Sequence, residues 1–378
     1  MWGLLRLKRS CHFILLFLIF VCQAYASTEY VVASSNDFLQ NTLAVYQLDT
    51  ASGALTKVAS LSTGGTGLGP NHSNNVSFLE QAISPNANCI FAVDAGSNDI
   101  AAFSKGTSYS LVGNYSNSSL NASFLGGSLA IAPNGKFLYA SYSTTENIGA
   151  WQVNQDCSLS LIGVYAPSAG AADNTYLKVT PNGKQLVASV GVSAELFSID
   201  QNTGALLDVG YLSFQTVSSI WGLDITRDSR VVVLAGITTL DRVEPVALAA
   251  QITSTGLIRP RAWSLLNATV NGNEGVFLGA GGYAGNGNLY FGMNDGVVTT
   301  LFTEQPLKVT IENATSTLPL DSDAAIGVTG NILVMAQVPN ALATFSINQD
   351  GSLTPLSSTV LDDPNAALFS LSVFPNTR

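Results

Sequence analysis

Short apolar runs recur along this chain, each behind the same kind of polar turn. Ser84-Pro85-Asn86-Ala87-Asn88 precedes Cys89-Ile90-Phe91-Ala92-Val93. Ala132-Pro133-Asn134-Gly135-Lys136 precedes Phe137-Leu138-Tyr139-Ala140, and Thr180-Pro181-Asn182-Gly183-Lys184 precedes Gln185-Leu186-Val187-Ala188. Runs this short and this continuously apolar predict strands covered on both faces. In the turn, Pro presets φ at the second position, Asn tolerates the third, and Gly takes the left-handed position that lets the chain fold back. Each turn therefore joins two antiparallel strands, A before it (Leu129-Ala130-Ile131, Leu177-Lys178-Val179) and B after it. Pro85, Pro133 and Pro181 are spaced by 48 residues, and a period of that size marks a propeller, a solenoid or an array.

A second hairpin recurs between the turns. Asp49-Thr50-Ala51-Ser52-Gly53 returns as Asp200-Gln201-Asn202-Thr203-Gly204 and as Asn348-Gln349-Asp350-Gly351; Asn154-Gln155-Asp156-Cys157 is a version without the glycine. It joins strands C and D, so a repeat holds four strands. Further A–B junctions fall at Thr226–Arg230, Ala284–Asn288, Val328–Asn331 and Val373–Asn376. The chain begins its pattern with strands B, C and D (Tyr30-Val31-Val32-Ala33 onward) and ends it with a strand A (Leu368 to Phe374). The two ends complete one blade, which removes the open sheet edges. The expectation is an all-β, seven-bladed β-propeller of four antiparallel strands per blade. The degenerate fifth repeat, with 58 residues between its junction and the next, leaves six or eight open.

The first 26 residues read as a targeting segment. Arg6, Lys8 and Arg9 form a positive start, Phe13 to Val21 is apolar, and Ala24-Tyr25-Ala26 is a small-x-small cleavage site. Nine apolar residues are too few to span a bilayer comfortably. The division is a signal peptide, 1–26, and one propeller domain, 27–378, with no linker inside it. The expected address is secreted or extracellular, periplasmic in a Gram-negative source. Loss of the three cations takes the formal charge from −10 to −13. An acidic chain without a basic cluster argues against nucleic acid and against anionic membranes, and a monomer is expected. With 11% charged residues and abundant Gly, Ser, Thr and Asn, the composition suits short strands and tight turns.

Phe91-Ala92-Val93-Asp94-Ala95-Gly96-Ser97-Asn98-Asp99-Ile100-Ala101-Ala102-Phe103 closely resembles a blade signature of the lactonase-family propellers, which include 6-phosphogluconolactonase-like and 3-carboxymuconate-cyclising enzymes. Phe137-Leu138-Tyr139-Ala140-Ser141 is similar to a second copy. The resemblance implies a seven-bladed, metal-independent scaffold and a lactone substrate. No cofactor is expected. One His and two Cys in the mature chain do not make a usual zinc site, no Gly-x-Ser-x-Gly elbow is present, and Asp321-Ser322-Asp323 lacks the Gly and Glu of a calcium loop.

Two rims follow from the strand order. One, formed by the D–A connections and B–C turns, gathers His72, Asp173, Glu274, Asp321, Asp323, Asp362 and Asp363 with Asp99, Asp241, Arg242, Glu244 and Asp295. Lactone chemistry needs a base near the scissile group and a cation for the developing oxyanion. His72 or Glu274 are the candidate bases, Arg242 the candidate cation, with Glu244 beside it. The alternative function is a non-catalytic extracellular propeller that binds a carbohydrate, peptide or surface partner through this rim. Lys178 and Asp224, on innermost strands of consecutive repeats, read as an ion pair between blades rather than as free channel charges. Cys89 and Cys157 sit toward the opposite rim in adjacent repeats; export favours a disulfide, and the other reading is two separate thiols. Seven Asn-x-Ser/Thr sequons, at Asn71, Asn75, Asn114, Asn117, Asn121, Asn267 and Asn313, lie in or at the edge of D–A connections. In a eukaryotic source they would be glycan acceptors.

Overall fold

The computed structural model describes residues 29–69, 81–116, 128–142, 147–170, 175–215, 217–238, 245–258, 264–265, 278–283, 288–293, 296–303, 308–315, 326–337, 341–360 and 371–374. Every regular element among them is a strand. The first sheet is built on β1 (Glu29–Ser34), β2 (Thr42–Leu48) and β3 (Leu55–Ser62). The second holds β4 (Gln81–Ile83), β5 (Cys89–Asp94), β6 (Asp99–Lys105) and β7 (Tyr109–Tyr115). The third holds β8 (Leu129–Ile131), β9 (Phe137–Tyr142), β10 (Asn147–Val153) and β11 (Leu159–Tyr165). The fourth holds β12 (Thr175–Val179), β13 (Gln185–Val190), β14 (Ser193–Ile199) and β15 (Leu206–Ser213). The fifth holds β16 (Val217–Ile225), β17 (Val231–Thr238), β18 (Pro245–Thr253), β19 (Gly256–Ile258) and the short β20 (Ser264–Leu265). The sixth holds β21 (Leu278–Tyr283), β22 (Leu289–Met293), β23 (Gly296–Thr303) and β24 (Lys308–Thr315). The seventh holds β25 (Ile326–Thr329), β26 (Ile332–Gln337), β27 (Ala341–Ile347) and β28 (Leu353–Val360). The last strand, β29 (Leu371–Phe374), returns to the first sheet and pairs antiparallel with β1, Tyr30 opposite Phe374 and Ala33 opposite Leu371.

The described residues thus form seven separate antiparallel sheets, six of four strands and one of five. The arrangement is that of a β-propeller, each sheet packed face to face on the next. The core lies between sheets, and the two-residue period of a strand explains how. On β1, Val31 and Ala33 pack with Val334 and Leu342 of the seventh sheet, while Val32 between them packs with Ile90 and Ala92 of the second. One strand therefore feeds two cores, and every position of its centre must be apolar. Full burial of a Val or Ile side chain contributes roughly 1.5–3 kcal/mol, so consecutive apolar positions in each strand B carry much of the stability.

The turns form as their residues dictate. Gly135 and Gly183 occupy φ of 69° and 72°. Asn134 and Asn182 each accept, through Oδ1, the backbone N–H of the following Lys at 2.9 Å. Where the glycine is missing the geometry persists: Ala87 and Ser229 take the same place at φ of 56° and 64°. The Ser229 hydroxyl also accepts the Asn182 N–H of the neighbouring sheet at 3.0 Å.

Candidate functional site

Among the described residues, one connection between sheets and the turns that hold it are placed in detail, and they span the first two sheets. Leaving β3, residues 63–69 cross from the outer strand of the first sheet toward the second. This strap is held from both sides. Gly67 N–H donates to Asp37 O (2.7 Å), Leu68 N–H to Asn36 Oδ1 (2.9 Å) and Gly69 N–H to Asn36 O (2.9 Å), all on the turn between β1 and β2. On the other side Gly96 N–H donates to Thr66 O (2.8 Å), and Thr66 N–H to Ser97 Oγ (3.0 Å), on the turn between β5 and β6. Asn36 sits in left-handed backbone, φ 49°, which an Asn tolerates better than most residues.

Beneath the strap lies a carboxyl pair. Asp94 ends β5 and Asp99 opens β6, and the two are register partners. Asp94 is wholly buried and Asp99 nearly so. Asn41 Nδ2 donates to Asp94 Oδ1 at 2.7 Å. Asn114 Nδ2 reaches both carboxylates, Asp99 Oδ1 at 2.7 Å and Asp94 Oδ2 at 3.4 Å. Burial pushes the Asp94 carboxyl up to about 7; hydrogen bonds from Asn41 and Thr63 oppose the rise, and the neighbouring Asp99 adds to it. Asp99 is therefore not the solvated turn residue that the charged rim suggests.

A second connection is anchored differently. Glu195 on β14, also buried, accepts the Ser168 N–H (2.7 Å), the Ser168 hydroxyl (3.1 Å) and the Ala169 N–H (2.9 Å). Burial raises its carboxyl from the ordinary value while these donors hold it down. Neither Asp94 nor Glu195 stands out in the sequence, because each is buried by a connection arriving from a neighbouring repeat. The one available signal is that Asp94 and Asp99 bracket the turn of the signature segment on two adjacent strands.

Lys178 on β12 and Asp224 on β16 face each other across two sheets, Nζ to Oδ1 3.5 Å, with Lys178 30% and Asp224 2% exposed. The ion-pair reading of these two holds. Cys89 and Cys157 are joined, their Cα atoms 5.5 Å apart. Among the other sequence candidates, His72, Arg242, Glu244 and Glu274 lie outside the described residues, as do Asp173, Asp241, Asp295, Asp321, Asp323, Asp362 and Asp363, residues 1–26, and Asn71, Asn75, Asn117, Asn121 and Asn267. Asn114 lies near the end of β7 and Asn313 within β24. Since the Asn114 amide serves the carboxyl pair, a glycan there would replace one donor hydrogen and strain that contact. Among the described residues no group of three or more His, Cys, Asp or Glu is placed to hold a metal ion.

This chain has a β-propeller fold, and solved structures that share the fold include gluconolactonase-type proteins. It superposes on a candidate 6-phosphogluconolactonase from Bacteroides fragilis with TM-score 0.70 at 16% identity, over 93% of this chain and 99% of that one. The periplasmic gluconolactonase of Pseudomonas aeruginosa gives TM-score 0.67 at 14% identity, over 92% of this chain and 98% of that one. A protein from Lactobacillus plantarum gives 0.68 at 16% identity, over 92% and 99%. No family profile and no curated protein matches the chain.

Proposed function

We propose that this protein is an exported lactonase-like β-propeller that opens or closes a small-molecule lactone at the rim formed by the D–A connections and B–C turns. The observation that carries the reading is the likeness in fold to gluconolactonase-type proteins over more than nine-tenths of the chain. The seven sheets are taken as seven blades of one ring, and residues 27–378 as one domain. The succession of innermost strands supports this: β29 adjoins β4, then β8, β12, β16, β21, β25 and β29 again. The Cys89–Cys157 disulfide suits an oxidising compartment and so agrees with a cleaved segment at 1–26 and an extracellular or periplasmic address. Among the described residues no helix is long and apolar enough to cross a membrane.

In the proposed reaction, His72 or Glu274 takes the proton of an attacking water. Arg242, with Glu244 beside it, stabilises the oxyanion formed at the lactone carbonyl; as the carbonyl re-forms, the C–O bond of the ring breaks and the ring oxygen takes the proton back from the base to become the hydroxyl of the open acid. A panel of aldonolactones and carboxymuconolactones, assayed with the wild type and with Arg242→Ala and Glu274→Ala, tests it. The expectation is hydrolysis well above buffer, lowered about 100-fold or more by loss of the cation. Hydrolysis at the buffer rate across the panel would instead favour a propeller that only binds its ligand.

A further inference from the structure

We propose that Asp94 and Asp99 share a proton, that this shared proton latches the strap 63–69 onto the rim, and that the strap loosens as the proton is lost. The proposal is independent of the lactonase reading, because its test needs no substrate.

The geometry places the Asp94 carboxyl directly under the strap. A Cβ added at Gly65 would strike Asp94 Oδ2 and Ser97 Oγ, so the strap backbone rests on the acid with no room between. Among the described residues, four side chains act on Asp94. They are Asn41 from the β1–β2 turn, Thr63 from the strap, Asp99 from β6 and Asn114 from β7. Apart from Asp99 all are neutral, and among the described residues no Lys, Arg or His pairs with either acid. Burial and the neighbouring Asp99 both disfavour the charged form of Asp94. A shared proton turns their repulsion into a hydrogen bond. Once the proton leaves, displacement of Gly65 and the strap above it gives Asp94 a route to water.

The strap is a suitable moving part. Its bonds to the flanking turns run largely through backbone groups of a seven-residue segment between β3 and the connection that carries His72.

The direction follows from linkage. The closed form holds its proton up to about pH 7, whereas an exposed aspartate loses it near 3.9, roughly. Closure is therefore favoured most below about pH 4, weakens as pH rises through 7, and changes no further above that. Across the window the open fraction should rise by about tenfold per pH unit if opening returns Asp94 fully to water.

Amide hydrogen exchange on the full mature chain, read on peptides covering residues 63–69 at pH 5, 6, 7 and 8 and corrected for intrinsic exchange, tests this. In the wild type, protection of these amides should fall by about tenfold per unit between pH 5 and 7 and level off by 8, while β13 (185–190) stays unchanged. Asp94→Asn should abolish the slope. Asp99→Asn removes the repulsion and should move the fall to lower pH, and it carries the test should Asp94→Asn not fold. A flat wild-type profile, a wild-type slope retained in Asp94→Asn, or an unchanged profile in Asp99→Asn would each overturn the proposal.

Discussion

Single backbone positions decide where neighbouring sheets meet. Gly204, at the tip of the hairpin between β14 and β15, has φ 73°, and a Cβ there would collide with the ring of Phe137 in the preceding sheet. Its carbonyl accepts the Tyr139 hydroxyl at 3.1 Å. The same docking recurs where Tyr290 donates to Gly351 O (3.0 Å) and Thr344 to Gly53 O (2.8 Å). Gly204→Ala combines a left-handed backbone penalty with overpacking against Phe137, and should destabilise by about 2–4 kcal/mol. Urea unfolding, comparing midpoints at equal slope, measures it.

At the scale of the element, the hairpin between β10 and β11 departs from its counterparts. Cys157 fills the glycine place at φ 69° and bonds to Cys89, which heads β5 as Phe137 heads β9. A covalent link thus stands where the fourth sheet uses a glycine-on-phenylalanine contact. The disulfide spans a sequence separation of 68, for which the chain-entropy model gives about 4 kcal/mol. Cys157→Gly removes the link while relieving the left-handed side chain, so a net loss of about 3 kcal/mol is expected in urea unfolding. Thiol titration of the denatured, unreduced mature protein should find no free thiol; two would refute the bridge.

Over the whole molecule, the pairing of β29 with β1 ties the last described segment to the first. Leu371 and Val373 are nearly buried, and they join Val31, Ala33 and Val334 in one cluster. Truncation after residue 370 would expose that cluster and leave β1 as an open edge. The expected outcome is a broadened, less cooperative urea transition and self-association in size-exclusion chromatography. An unchanged single transition would show that this closure contributes little.

The strands, both families of hairpin and the return of a last strand to the first were readable in the chain. They depend on local chemistry: a proline that sets φ, an asparagine that caps a turn, and consecutive apolar residues that fit a strand covered on two faces. What only the tertiary structure decided lies between repeats. The Cys89–Cys157 bond required two sheets to bring Cα atoms to 5.5 Å. The Lys178–Asp224 pair required adjacent innermost strands to lie within reach. Asp94 and Glu195 read as ordinary acids until connections from neighbouring sheets cover them and remove their water. A residue's own sequence neighbours set its backbone, whereas its solvation is set by segments tens of residues away, so burial and charge state emerge only once the sheets have packed together.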